Sequence, residues 1–310
     1  MLKYIGRRIL VLIPTLLAVV FIVLFIMNLT PGDPGTLILG EQASREEIEA
    51  KNEELGFNDP FPVRYVNYVV DLCQGDLGNS WKTGRPVMGE LLSRLPVTAT
   101  LAIGSILIGS IVGILFGILS AVKQYSFLDF AGTTIAMALA SFPGFWIGMM
   151  LILFFSLYLR WLPSFGAGDL KHFILPWITA ACPLMASQLR MTRTSMLEVI
   201  RADYIRTARA KGQKESKVII QHALRNALLP VITIMGINFG ASLGGTVTIE
   251  TVFTLPGVGS LIIEAIRMKD VPLVTGATVM LATFFALIML VVDVMYAYID
   301  PRIKSRYTRK

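Results

Sequence analysis

The sequence predicts an all-α polytopic membrane protein, and three observations support that prediction. Hydrophobic residues make up 54% of the 310 residues and charged residues only 16%, whereas an ordinary soluble domain contains about 25% charged residues. The apolar residues fall into six runs of the length that crosses a bilayer as a helix, about 20 residues. Basic residues gather between those runs. Lipid must therefore surround much of this chain, because one water-soluble core cannot hold so many apolar side chains.

Each of the six apolar runs is predicted to be a transmembrane helix, since a helix satisfies its own backbone polar groups in lipid. The approximate bounds are Ile9–Leu29, Val97–Val122, Ala131–Leu159, Phe173–Leu189, Ala227–Ile249 and Leu273–Ile299. The first run follows Lys3, Arg7 and Arg8, as the apolar part of a signal peptide would. It is too long for a typical signal peptide, and no A-x-A cleavage site follows it. We therefore expect an uncleaved first helix.

The distribution of basic residues predicts how the helices are oriented. The net charge is +7, and 18 of the 28 lysines and arginines fall in the four segments predicted to lie on the same side as the N-terminus. Short loops rich in Lys and Arg remain in the cytoplasm, so both termini are predicted to be cytoplasmic. Because the positive charge lies between apolar runs rather than across a soluble face, it indicates membrane topology and no nucleic-acid partner.

The long segment between the first two helices, residues 31–96, is predicted to be extracytoplasmic and helical. Pro31–Pro34 is a turn cluster that ends the first helix. Ser44 and Glu47 form a capping-box pattern that opens a helix ending near Gly56. A second helix at the membrane surface is predicted from an apolar stripe at Val63, Val66, Val70 and Cys73. The segment is either a lid or docking surface for an external partner, or a connector that covers helix ends.

Small residues recur at i, i+4 in three predicted spans, a spacing that permits close helix packing in lipid. The three ridges are Ser105, Gly109, Gly113 and Gly117; Ala136, Ala140, Gly144 and Gly148; and Gly236, Gly240 and Gly244. Pro143 is expected to kink the third span. These ridges predict a tightly packed bundle that also packs against a second membrane subunit.

A polar stripe runs beside the glycines of the fifth span. Its residues are Asn238, Ser242, Thr246 and Glu250, again at i, i+4. Polar groups inside a membrane face protein or water, so the stripe either lines a substrate pathway or makes hydrogen bonds between helices. Asp293 is the clear acidic residue deep in the sixth apolar run, and an ion-coupled carrier would use such a group. A single acid without partner acids is weak support for that class.

The cytoplasmic loop between the fourth and fifth spans, residues 190–226, is predicted to contain two short amphipathic helices. The first carries apolar residues from Met196 onward and ends at Gly212, and the second runs from Glu215 to Leu224. A helix pair with an apolar ridge and basic flanks fits the groove of a partner protein. The same helices would also fit among anionic lipid headgroups.

Several motifs occur in one order along nearly the whole chain. They are PGDP at Pro31–Pro34, GDLGNSW at Gly75–Trp81, TGRPV at Thr83–Val87, SFPGFWIG at Ser141–Gly148, DYIRTARAKG at Asp203–Gly212, HALRNALLPVIT at His222–Thr233 and ETVFTLPGVG at Glu250–Gly259. This set resembles the membrane permease subunits of bacterial ATP-binding-cassette (ABC) importers, in the dipeptide, oligopeptide and nickel branch. The short outer loop Arg160–Lys171 is most similar to the oligopeptide type, the B-type permease subunit.

The resemblance implies that the loop contains the helix that couples the permease to its ATPase. The positions it implicates are Tyr204, Arg206, Thr207, Ala208, Ala210, Lys211, Gly212, His222, Leu224 and Arg225. Other branches have Glu-Ala-Ala, then Gly, then Ile-x-Leu-Pro after nine residues. Here Arg206 and Thr207 replace Glu-Ala, Gly212 keeps the glycine, and Arg225 replaces the proline. These departures are typical of the peptide branch.

The resemblance also implies the partners and the cargo. No Gly-x4-Gly-Lys-Ser/Thr phosphate-binding loop occurs in the printed sequence, so ATP and Mg are expected on partner ATPase subunits, with no cofactor in this chain. The expected assembly contains a second homologous permease, two ATP-binding subunits and an extracytoplasmic solute-binding protein, in the bacterial inner membrane. Peptides are the expected cargo, imported by alternating access; nickel chelates, glutathione and oligosaccharides are alternatives.

The predicted domains are an N-terminal transmembrane helix (1–30), the extracytoplasmic segment (31–96) and a permease core (97–310). A membrane-embedded enzyme is disfavoured, because no nucleophile, acid–base or metal groups are predicted to converge. The two cysteines, Cys73 and Cys182, and the two histidines, His172 and His222, fit no metal or redox spacing.

Overall fold

A computed structural model describes the backbone of residues 2–40 and 42–299, with all of their side chains except those of residues 2–5, 7–9, 243, 245, 293 and 295–299. The Asp293 side chain and the basic C-terminal residues lie outside this description. Within the described backbone the structure is helical, and the extended pairing is confined to one bridge between Asn79 and Pro86. The chain divides into two compact units, Met1–Thr98 with Pro256–Leu287, and Ala99–Leu255 with Ile288–Lys310.

The first unit contains the N-terminal helix, the extracytoplasmic segment and two later helices. Its elements are α1 (Leu2–Leu29), α2 (Pro34–Leu39), α3 (Arg45–Glu54), α4 (Phe61–Cys73), the start of α5 (Val87–Val122), α12 (Val258–Arg267) and most of α13 (Val271–Ile299). Buried apolar side chains of α1, α5, α12 and α13 form its core, including Val20, Leu91, Val258 and Val274. The outer segment therefore packs on helices from both ends of the chain.

The two helices predicted in the outer segment are confirmed. Ser44 caps α3 in a capping box, in which its hydroxyl accepts from the Glu47 N–H and the Glu47 side chain accepts from the Ser44 N–H at 2.8 Å. The valines of the predicted stripe in α4, Val63, Val66 and Val70, are exposed. The opposite face of α4 packs on the core through residues such as Tyr65. An apolar face turned outward suits a helix at a membrane surface.

Two adjacent residues before α13 hold the first unit together. Asp270 is almost fully buried and accepts hydrogen bonds from the Ser80 hydroxyl at 2.5 Å and from the Trp81 N–H at 3.1 Å. Lys269 donates to the Thr30 carbonyl at 2.8 Å and lies 4.7 Å from the centre of the Phe57 ring. Burial lowers the pKa of Lys269. These contacts fix the loop before α13 to segments more than 180 residues away.

The second unit contains the remaining helices. They are the rest of α5, α6 (Phe127–Ser141), α7 (Gly144–Leu151) with a π-helical turn (Ile152–Tyr158), α8 (Lys171–Ile200), α9 (Asp203–Ala210), α10 (Glu215–Lys217) with a π-helical turn (Val218–Leu224), α11 (Arg225–Val252) and the end of α13. Within this unit α8 packs against α6, α7 and α11.

The glycine ridge of α5 packs directly against α8, as the spacing predicted. A Cβ atom added to Gly113 would lie 2.7 Å from the Cβ atom of Gln188, and one added to Gly117 would lie 2.6 Å from that of Thr192. A larger side chain at either position would force the helices apart. The ridge of α11 is only partly covered, since Gly236 meets Val292 whereas nothing lies within 4 Å of a Cβ built on Gly244.

The third predicted span is broken at Pro143, where the sequence predicted a kink. The helix pair Phe127–Ser141 and Gly144–Tyr158 bends by 103°. Phe142 and Trp146 stack across the break with ring centroids 4.5 Å apart. Proline cannot donate a backbone hydrogen bond, and no side-chain hydrogen bond caps α7.

Among the residues that the structure describes, four helices are long and apolar enough to cross a membrane, and the bent pair makes a fifth if it is one span. The four are Leu10–Leu29, Val87–Val122, Glu215–Ser242 and Val271–Val292. The predicted fourth span lies within α8, which includes two prolines and the buried polar residues Thr179 and Gln188. These residues lower its mean hydropathy. The six-span count, the orientation and the predicted domain bounds remain predictions.

Candidate ATPase-docking helix and translocation cavity

The short helix α9 lies between the ends of α8 and α10 and turns one face into the protein. Ile205 and Ala208 are buried in a cluster that includes Met196 of α8, and Val218 and Ile219 of the following π-helical turn. Ala202 begins the helix in an extended conformation, and Gly212 ends the turn after it with a φ of 74°. Only glycine adopts that conformation at little cost. The buried face therefore fixes α9 to both neighbouring helices.

Polar contacts at both ends hold α9 in the same position. Arg209 donates two hydrogen bonds to the Glu215 carboxylate, at 2.6 and 3.1 Å, and this contact raises the pKa of Arg209. Asn226 donates to the Tyr204 hydroxyl at 3.1 Å and to the His222 carbonyl at 2.9 Å. The Arg209–Glu215 ion pair and the Asn226 hydrogen bonds are exposed, so each contributes modestly to stability. Together they restrict the movement of α9 relative to its neighbours.

The predicted coupling residues divide by exposure. Tyr204, Arg206, Thr207, Ala210, Lys211, Gly212 and Arg225 are exposed, His222 and Leu224 are half-buried, and Ala208 is buried. The exposed set includes the basic Arg206 and Lys211 and the aromatic Tyr204. Ala208 belongs to the supporting cluster, where a larger side chain would lift the helix away.

The helices of this loop differ from the predicted pair. The first predicted helix is interrupted at Arg201 and Ala202, so Met196 belongs to α8 whereas Tyr204 belongs to α9. The second predicted helix, from Glu215, continues through the π-helical turn into α11. The sequence signal that was missed is Asp203, an acidic residue suited to the first turn of a new helix. The element predicted to dock is thus one short helix between two long ones.

The second candidate site is a cavity of about 400 Å³ in the second unit. Three of the four predicted pathway residues line it: Asn238, Ser242 and Thr246. Ser105 and Thr179 add two hydroxyl groups from α5 and α8. The sequence gave no signal that these two would join the stripe of α11, because Ser105 belonged to a packing ridge. No charged side chain is found among the described residues that line the cavity.

Two polar groups of the stripe differ in their surroundings. The Asn238 amide nitrogen has no hydrogen-bond partner within the described chain, although it is shielded from solvent. Glu250 is fully buried near the end of α11 and is not part of the cavity lining. The described lining of the cavity therefore contains an amide, whose nitrogen lacks a partner but is shielded, and several hydroxyl groups, but no carboxylate. Its role in transport remains a prediction.

These features define a helical protein with several apolar candidate membrane spans, a short helix that is exposed on one face, and a polar cavity. Two family models match the chain: "Binding-protein-dependent transport system inner membrane component" over residues 113–305, and the N-terminal part of such components over residues 1–102. The chain belongs to this family. It is an integral membrane component of a binding-protein-dependent transport system.

Curated relatives cover the chain almost completely. The chain is 42% identical to the dipeptide transport system permease protein DppB of Alkalihalophilus pseudofirmus, over 98% of this chain and 100% of that protein. It is also 42% identical to the glutathione transport system permease protein GsiC of Pectobacterium atrosepticum, over 99% and 100%. The chain is thus an ABC importer permease of the peptide branch.

Solved structures support the same fold at lower identity. Inward-facing conformations of the MetNI methionine ABC transporter match with TM-scores of 0.55 and 0.58, at 18% and 21% sequence identity. Each match covers 69% of this chain and 97% of that chain. At this identity the likeness establishes the fold alone.

Proposed function

We propose that this chain is a permease subunit that imports peptides by alternating access, with α9 as the helix that seats in a partner ATPase. One observation carries the proposal: α9 presents an exposed face while its other face is buried against both α8 and the helix leading into α11. A helix supported in this way cannot move without moving its neighbours. ATP-driven motion of the partner would therefore reach the membrane-spanning helices.

In the proposed assembly, ATP is bound and hydrolysed by partner subunits and not by this chain. Two ATP-binding subunits would hold ATP and Mg and receive α9 and its counterpart on a second, homologous permease. A solute-binding protein would deliver the cargo on the outer side. This chain would contribute no catalytic group, and its part would be to convert displacement of α9 into opening and closing of the cavity.

The cavity lining favours peptides as cargo. Asn238 has an unpartnered amide nitrogen, and the hydroxyl groups of Ser105, Thr179 and Ser242, which donate to backbone carbonyls, can still accept a hydrogen bond. Such groups suit the carbonyl and amide groups that every peptide shares. Because the described lining residues carry no charge, they would not discriminate between peptides by the charge of the peptide side chains. Glutathione, the cargo in the name of one relative, has the same amide groups.

The test is to purify the chain with its co-encoded neighbours and to measure ATP hydrolysis with a loaded binding protein. A dipeptide, glutathione and a nickel chelate are compared as cargo, and we expect stimulation by the peptide ligands. The coupling role is tested with Gly212→Pro, because proline cannot adopt the positive φ of 74°. We expect the recovered ATPase and its stimulated activity to fall by at least about tenfold, since loss of about 1.4 kcal/mol of contact energy suffices.

Gly75→Pro is the matched control. Gly75 also follows a helix at positive φ, 81°, and its N–H donates to the carbonyl three residues earlier at 3.0 Å, as that of Gly212 does at 2.9 Å. It lies in the extracytoplasmic segment, so ATPase recovery should be retained. Equal losses in both variants would remove the coupling role of α9. Solute uptake by this chain alone, driven by an ion gradient, would overturn the importer proposal.

A further inference from the structure

The turn between α5 and α6 presents three aromatic rings to the surroundings. Tyr125 is 86% exposed, Phe127 82% and Phe130 70%. The turn follows α5, which is long and apolar enough to cross a membrane, and precedes the bent pair of helices that is apolar enough only when taken together, so we place it at one membrane surface. Aromatic side chains are enriched at that depth, because their rings prefer the headgroup region.

Beside this turn is a cavity of about 530 Å³ with one apolar and one polar side. On the α6 side lie Phe130 and Met137, together with Thr133, whose hydroxyl donates to a backbone carbonyl of its own helix. On the α8 side lie Arg190 and Thr194, and Tyr125 also lines the cavity. The apolar α6 side chains are exposed, so the cavity is open to its surroundings. The lining therefore suits an amphiphilic ligand, because apolar side chains of α6 lie next to a cationic side chain of α8.

The charge on the polar side is not balanced within the cavity. Asp129 is the acidic residue in the described lining. Arg193 binds both of its carboxylate oxygens, Nε at 2.7 Å and Nη2 at 2.8 Å, and the Ser120 hydroxyl and the Tyr125 N–H bond the same carboxylate. Arg190 has no ion pair or hydrogen bond to any part of the chain that the structure describes. Its positive charge is therefore available to an anion.

The same contacts build the site before any ligand enters. Tyr125 has a φ of 63°, a conformation that a bulky residue rarely adopts. Its N–H bond to Asp129 at 3.0 Å holds it there, and the Asp129 N–H in turn donates to the Ser126 hydroxyl that caps α6. Arg201, which donates to Gln124 in the same turn at 3.2 Å, adds positive charge nearby.

We propose that this cavity binds one anionic phospholipid, with its phosphate at Arg190 and an acyl chain along Phe130 and Met137. Lipid matches both walls of the cavity at once, whereas a free phosphate would leave the apolar wall exposed. Juxtamembrane basic residues attract anionic lipids. Here the aromatic turn and the Asp129–Arg193 pair fix the position of the residues that line the cavity. The bound lipid would brace α6 against α8. This proposal rests on the membrane location of the chain and not on which solute it transports.

The experiment counts lipids bound to the full-length chain, purified with its associated subunits in mild detergent, by native mass spectrometry. Phosphatidylglycerol and phosphatidylcholine are titrated separately. We expect the wild-type chain to retain phosphatidylglycerol preferentially. Arg190→Gln should weaken that binding by at least about tenfold, because a charge-assisted hydrogen bond to phosphate is lost. Arg45→Gln, the same change at an exposed residue of α3 outside the membrane, should leave binding unchanged.

Met137→Trp is a second variant that keeps every charge and fills the apolar side of the cavity. It should lower retention of phosphatidylglycerol as well, and it gives the answer if Arg190→Gln cannot be recovered. Unchanged retention in both cavity variants would overturn the proposal. Equal losses in Arg190→Gln and Arg45→Gln would indicate diffuse attraction and would also overturn it. So would a loss of the second permease subunit with no change in bound lipid, because this face would then be a subunit interface.

Discussion

Replacing Ile205 tests how α9 is attached to the rest of the chain. Ile205 is fully buried in the cluster that joins α8, α9 and the π-helical turn before α11. Ile205→Ala removes three side-chain carbons, which at about 0.8 kcal/mol per buried CH₂ corresponds to about 2.4 kcal/mol of lost transfer free energy. The cavity left behind adds to this loss, and Ile→Ala changes in cores cost about 2–5 kcal/mol. The loss falls mainly on the contact between α9 and its support.

The assay is amide hydrogen exchange of the purified chain, followed over residues 203–210. A loss of about 2 kcal/mol corresponds to roughly 30-fold faster exchange, at 1.4 kcal/mol for each factor of ten. The stimulated ATPase activity of the assembled complex should fall in parallel. Ile220→Ala is the matched control, since Ile220 lies on the adjacent π-helical turn but is 62% exposed. Its effect on stability should stay within about 0.5 kcal/mol.

Two results would refute this reasoning. Unchanged exchange in Ile205→Ala would mean that the polar contacts of Arg209 and Asn226 hold α9 without the buried face. Faster exchange of α9 with full ATPase coupling would mean that its rigid attachment is not needed for coupling. The second result would leave the packing analysis intact and remove its functional consequence.

Three further predictions concern the packing of the two units, each checked by thermal unfolding of the purified chain. Asp129→Asn should lower the free energy of unfolding by about 3 kcal/mol. This is the lower end of the range for breaking a buried ion pair, because Arg193 keeps 26% of its side chain exposed. An unchanged midpoint of thermal unfolding would contradict a structural role for the pair. Gly113→Ala should cost about 1–3 kcal/mol by overpacking against α8, whereas Gly132→Ala, with nothing within 4 Å, should stabilise by up to about 1 kcal/mol; equal effects would argue against the close α5–α8 contact. Burial lowers the pKa of Lys269 below its ordinary value of 10.5, so between the lowered pKa and 10.5 the unfolded state binds more protons than the folded state. The free energy of unfolding should therefore rise with pH through that window. Lys269→Met should abolish the rise, and a rise of equal size in this variant would assign it to other groups.

Features encoded by neighbouring residues could be predicted from the sequence. The capping box at Ser44 and Glu47 needs only four consecutive positions, and the break at Pro143 needs only a proline after an apolar helix. The ridge from Gly109 to Gly117 identified a packing face, because in lipid close contact requires small residues. In each case the pattern that carries the prediction lies within about one or two helical turns, even where the contact it predicts is with a distant helix.

Features that depend on distant residues could not be predicted. Asp129 and Arg193 pair across 64 positions, and Asp270 bonds Ser80 across 190. No periodicity marks such partners. The interruption of the helix at Arg201 and Ala202 is similar, since both residues are compatible with a helix and the turn is set by packing of Ile205 beneath it. The loop's basic charge predicted its side of the membrane but not which residues face outward.

The polar residues within the apolar runs show why contacts are needed to separate a pathway from a packing face. Gln188 and Asn238 both have side-chain atoms without a hydrogen-bond partner in the described part of the chain. Gln188 is 1% exposed and is enclosed where α8 meets Gly113, so no solute can reach it there. Asn238 instead belongs to the lining of the 400 Å³ cavity, although its unpartnered amide nitrogen is shielded from solvent in this conformation. Helical spacing treats the two residues alike, and only the shape of the space beside each side chain distinguishes them.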